Sequence, residues 1–102
     1  MDLIKIAQET FQIEADALYK AASRLDQNFL DAINIILNTK GKLIITGVGK
    51  SGLVGAKMAA TFASTGTSSF FLHPTEALHG DLGMIGKEDT LLAISSSGES
   101  EE

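Results

Sequence analysis

Two short stretches hold the residues whose types and spacing could do chemistry. The first is IITGVGKSG, Ile44 to Gly52, and the second is SSSGESEE, Ser95 to Glu102. Each follows a short apolar run, each offers hydroxyls and glycines, and each would open a helix whose N-terminal amides favour an anion. If the preceding runs are parallel strands, their C-terminal ends lie along one sheet edge, so the two loops can approach a single ligand. Ser95, Ser96, Ser97 and Ser100 suit one phosphate group, Gly98 allows close approach, and Lys50 could add a positive charge beside Gly47, Gly49 and Ser51. The plain alternative is that the glycines only build a tight strand-to-helix turn and the serines only cap and turn the chain.

The glycine pattern invites two larger ligands, and the spacing argues against both. A nucleoside-triphosphate loop, G-x-x-x-x-G-K-[ST], needs a glycine where this chain has Ile44, inside an apolar run. Gly47, Gly49 and Gly52 do fit G-x-G-x-x-G, but a dinucleotide site also expects an acidic residue about 20 residues further on. His73 stands at that place, and Glu76 lies beyond Pro74. The run His73, Glu76, His79 suggests a metal, yet on a helix the three directions would spread over about 120°, and Pro74 keeps His73 outside the helix. No standard zinc spacing is met, so no metal site is expected.

Elements able to position these loops can be read from periodicity. From Leu3 to Asn38 the apolar residues Ile4, Ala7, Phe11, Leu18, Ala22, Leu25, Phe29, Ile33 and Ile36 recur mostly at intervals of three or four, which predicts an amphipathic helical region over 1–40. Asp26 and Asn28 are N-cap types, dividing the region into two helices near LDQN, the second ending where Gly41 can adopt the left-handed conformation. KLIIT (Lys42 to Thr46), SSFFL (Ser68 to Leu72) and TLLAI (Thr90 to Ile94) read as strands, and SGLVGAKMAATFAST (Ser51 to Thr65) as a helix whose small residues permit close packing. PTEALHG reads as a short helical turn starting at Pro74. This alternation predicts β-α-β winding with a parallel sheet. Three strands are few for such a sheet, so 41–102 is expected to be the N-terminal portion of a larger domain.

Composition narrows the partners. Eight Lys and Arg against thirteen Asp and Glu give a net charge of -5, with the lysines dispersed, which argues against nucleic acid. The 102 residues include no cysteine, so a disulfide framework and thiolate metal ligands are excluded. The N-terminal segment carries Asp2, Glu9, Glu14 and Asp16 and has neither a basic signal-peptide start nor an apolar run of membrane-spanning length. A soluble, cytoplasmic protein without membrane contact is expected.

The motifs GVGKSG, FASTGT, HPTEALHGDLGM and SSSGES, in this order between Gly41 and Glu102, resemble the sugar isomerase (SIS) domain family and, within it, the arabinose-5-phosphate isomerases. The resemblance implies a flavodoxin-like, doubly wound parallel α/β sheet of about five strands, of which this chain would carry a three-stranded N-terminal portion preceded by helices. It also implies a homo-oligomer, tetrameric in the family, often with paired CBS domains that this sequence does not contain. The implied reaction interconverts D-arabinose 5-phosphate and D-ribulose 5-phosphate through an enediol without cofactor or metal, feeding the eight-carbon acid sugar Kdo of lipopolysaccharide. Carried over by residue, the phosphate cradle falls on Ser95, Ser97, Gly98 and Ser100, and the active-site positions on Lys50, His79 and Glu102. Glu102 or His79 could serve as the base, and Lys50 could stabilise the oxyanion or help hold the phosphate. A non-catalytic sugar-phosphate-binding module, or an inactive fragment, is the competing expectation.

Overall fold

A computed structural model describes residues 1–78 and 80–98 of the chain. The polypeptide clusters into two compact units, Met1–Ile33 and Asn34–Glu102. In the first, helix α1 (Leu3–Ser23) begins where Asp2, in extended conformation, accepts the Lys5 amide on Oδ1 at 3.1 Å. That carboxylate satisfies one of the amides a helix start leaves unpaired. Helix α2 (Gln27–Leu37) begins in the same manner, with Asp26 Oδ1 accepting the Asn28 amide at 2.9 Å. The expected division near Asp26 therefore holds. Of the periodic apolar residues, Ile4, Phe11, Leu18, Leu25 and Phe29 are exposed, whereas Ile36 packs against the core of the second unit, to which it belongs.

The end of α2 departs from expectation. Gly41 has no positive φ; the last helical carbonyls are instead met by side chains, Asn38 Nδ2 donating to the Asn34 carbonyl at 2.7 Å and Thr39 Oγ1 to that of Ile35 at 2.8 Å. Gly41 is needed for a different reason. A Cβ there would collide with Asp89 Oδ1 and lie 2.9 Å from the Glu88 carbonyl.

Strands β1 (Leu43–Gly47), β2 (Ser69–Phe71) and β3 (Thr90–Ile94) form a parallel sheet in the order β2-β1-β3. This is the beginning of the flavodoxin-like strand order, in which the chain leaves the central strand first to one side and then to the other. β1 is the central strand, and Leu43, Ile44 and Ile45 are at most 1% exposed, as expected for an apolar run covered on both faces. Helix α3 (Gly49–Ser64) packs on β1 and β2. Leu43, Ile45 and Ala59 form the core on that side, with half-buried Met58, Phe62, Phe71, Leu92 and Ile94 around them. Burying each large aliphatic side chain contributes about 1.5–3 kcal/mol. A short helix α4 (Pro74–Leu78) and a 3-10 turn (Asp81–Met84) lead from β2 toward β3.

At the N-terminal end of the sheet, Asp89 ties β1 to the turn before β3. Its Oδ1 accepts the Lys42 amide and its Oδ2 the Gly86 amide, both at 2.7 Å. The Lys42 amide chiefly, then the Gly86 amide, holds the carboxyl below its ordinary value of 3.8, against a smaller opposing effect of burial. A depressed folded-state pKa means that the stabilisation is fully present above the unfolded value and is lost as pH falls through the folded one. Stability is therefore expected to fall below about pH 4 more steeply in the parent than in Asp89→Asn, as read by urea midpoints from pH 6 down to pH 2. Parallel curves would show that Asp89 plays no part in acid sensitivity.

Candidate functional site

The site is set by strand register. β1 and β3 pair from Leu43↔Thr90 through Gly47↔Ile94, so the chain leaves both strands at the same level, into Val48 on one side and Ser95 on the other. The point where the winding reverses, between β1 and β3, is where open α/β sheets hold ligands. A cavity of about 370 Å³ lies there. Thr46, Gly47, Val48 and Ser51 line it from the first loop, and Ala93, Ile94 and Ser95 through Gly98 from the second. Pro74, the buried first residue of α4, contributes a third wall. The volume suits a small metabolite.

Anion-binding chemistry follows from the local backbone. The residue preceding α3 is Val48, which has no side-chain acceptor to cap the helix, and Gly52 is the first residue to donate back, to the Val48 carbonyl at 3.3 Å. The amides of the preceding first turn are left for a ligand, and the helix dipole favours a negative one. Opposite, the serine loop is curled on itself. The Gly98 amide donates to Ser95 Oγ at 2.8 Å, with Gly98 at φ 75°. Ser95 thus organises the loop while its hydroxyl proton can still be donated, since a hydroxyl both donates and accepts.

Of the residues singled out from sequence, Gly47, Ser51, Ser95, Ser97 and Gly98 come together on this one cavity. Gly49, at φ 61°, and Lys50 open α3 and are exposed, but neither lines the cavity. His79, Ser100 and Glu102 lie outside the described residues. Among the described lining residues no side chain is charged. Thr46 and Pro74 line the cavity without having been singled out from residue type, and Ser96 joins them from the serine run. The alternation of β1 could have marked Thr46, and the third wall formed by Pro74 has no local signal. Among the described residues no group of three His, Cys, Asp or Glu side chains could hold a metal ion, and no helix is long and apolar enough to cross a membrane.

Comparison with known proteins adds the following. Residues 36–102 match the SIS domain family. An arabinose 5-phosphate isomerase of Francisella tularensis is 57% identical, covering 97% of this chain and 31% of its own length. One from Pseudomonas aeruginosa is 50% identical, covering 100% of this chain and 31% of its own. Among solved structures, a protein of E. coli CFT073, solved in complex with a ligand, superposes with a TM-score of 0.92 at 45% identity, covering 97% of this chain and 53% of that one. The chain thus spans about a third of the length of the curated relatives it matches.

Proposed function

Because the chain belongs to the SIS domain family, we propose that it forms the phosphate-binding N-terminal part, 41–102, of a longer sugar-phosphate aldose-ketose isomerase interconverting D-arabinose 5-phosphate and D-ribulose 5-phosphate. The pairing of Gly47 with Ile94 supports this most directly, because it sets an uncapped helix start and a serine loop on one cavity. Such a pair of walls can hold a phosphate through backbone amides and hydroxyls. The relatives named above point to the substrate class, and so does the ligand of the E. coli CFT073 complex when its abbreviated name is read as arabinose 5-phosphate. Its product would then feed the eight-carbon acid sugar of lipopolysaccharide.

With the phosphate anchored, the open-chain carbonyl end extends from the cavity toward groups at its mouth. A base takes the C2 proton of the aldose, leaving an enediolate; a proton returns to C1 while the hydroxyl proton moves from O2 to O1, so the sugar is rearranged without net oxidation. Lys50, His79 and Glu102 are the candidates for shuttling these protons and stabilising the enediolate oxygen.

The test is exchange of the C2 proton with solvent, and isomerisation of ribulose 5-phosphate, by the longer polypeptide. Lys50→Ala and Glu102→Ala are each expected to lower kcat/KM by about 100-fold or more, the scale of general acid-base catalysis. Turnover surviving both would remove them from the reaction. The absence of charge among the described lining residues favours one second reading, a sugar-phosphate-binding module. In that case Ser97→Ala abolishes ligand binding, Lys50→Ala changes nothing, and no proton exchange is seen.

A further inference from the structure

The geometry points to His73 as a positioning residue that holds the third wall of the cavity through the neutral form of its imidazole. It resides one residue before α4, and both of its acceptors face that helix. Its Nδ1 accepts the Thr75 amide at 3.1 Å, and its backbone carbonyl accepts the Ala77 amide at 3.0 Å. His73 is therefore the N-cap of α4, a role in which an acceptor two residues before an unpaired helical amide is worth having. An imidazole can do this only with Nδ1 unprotonated, which puts the proton of the neutral ring on Nε2. The ring is held edge-on to Phe71, with centroids 6.4 Å apart and planes at 76°.

What the cap holds in place is Pro74. It is buried, it is the first residue of α4, and it is the part of that segment that lines the cavity. Leu72, on the other side of His73, is fixed to the sheet by its amide, which donates to the Ile45 carbonyl at 2.8 Å. The segment from Leu72 to Ala77 is thus pinned at one end to β1 and turned into α4 by His73, so Pro74 is delivered to the cavity from a defined direction. His73 does not itself line the cavity, so it acts through Pro74 and not on a ligand.

This role in catalysis rests on the isomerase reading above. Asparagine is the informative replacement, because its Oδ1 can accept the same amide and it is a favoured N-cap, whereas leucine can do neither. In the full-length protein, His73→Leu is expected to raise KM for the sugar phosphate about fivefold, the scale of a lost cap, with a smaller change in kcat, and His73→Asn to restore it. Amide hydrogen exchange at Thr75 should quicken in His73→Leu and stay slow in His73→Asn. Asparagine as damaging as leucine would overturn the proposal in favour of a direct part for the ring, and leucine with wild-type KM and wild-type exchange would overturn the cap. A wild type that does not turn over the sugar would sink the isomerase reading and the catalytic role with it. The exchange data would in that case still decide whether His73 caps α4.

Discussion

Gly52→Ala is expected to cost about 3 kcal/mol of stability and to abolish anion binding at the neighbouring cavity. Gly52 is buried in the first turn of α3, and a Cβ built on it would stand 2.6 Å from the Gly47 carbonyl oxygen and 3.2 Å from its carbon. The obstacle is backbone at the end of the central strand, so no rotamer change can relieve it. Either α3 moves away from β1 or the loop from Gly47 to Ser51 is distorted, and that loop is one wall of the cavity. Gly83→Ala is the matching control, because a Cβ there meets nothing within 4 Å. Urea titration and calorimetry with inorganic phosphate report the two effects. A Gly52→Ala protein with the stability and phosphate affinity of the Gly83→Ala control would show that the helix is not held against the strand by this contact.

The serine loop yields the second large effect. Ser95→Ala removes the acceptor for the Gly98 amide and should weaken phosphate binding about tenfold, near the value of one hydrogen bond. Ser95→Thr keeps the hydroxyl and should bind within about twofold of the parent. Gly98→Ala tests the same curl from its other end, because φ of 75° is a conformation alanine adopts only under strain. Loss of binding in Ser95→Thr equal to that in Ser95→Ala would show that the loop does not depend on this bond. Calorimetric affinities for inorganic phosphate and for ribulose 5-phosphate, compared across the three variants, check both ends.

Much of this arrangement can be read from residue types alone. Lys42 to Thr46 marks a doubly covered strand by being apolar without alternation, and β3 is legible to the residue at Thr90–Ile94. Both loops are recognisable because serine and glycine after an apolar run are uncommon unless backbone amides are to be presented. The turn between α1 and α2 is signalled by Asp26. Long-range approach is not legible. Gly41 looks like a helix terminator, and only its closeness to Asp89, 48 residues away in sequence by the difference of their numbers, explains why it must lack a side chain. His73 reads from sequence as the wrong residue for a ribose-binding acid or as one end of a metal run, since its hydrogen bond to Thr75 depends on the angle at which the chain leaves β2. The same holds for Pro74, whose place in the cavity comes from the sheet order and not from its neighbours in the chain.

The even pairing of β1 with β3 has a consequence for how such a protein could diversify. Adjacent strands are held about 4.8 Å apart by their ladder, and with Gly47 level with Ile94 the gap between the two anchoring segments is fixed by main-chain geometry. Side chains at the rim can then be exchanged without shifting the anchor point. Evolution, or a designer, would be free to change what happens at the far end of a substrate while the handle by which it is gripped stays where it is.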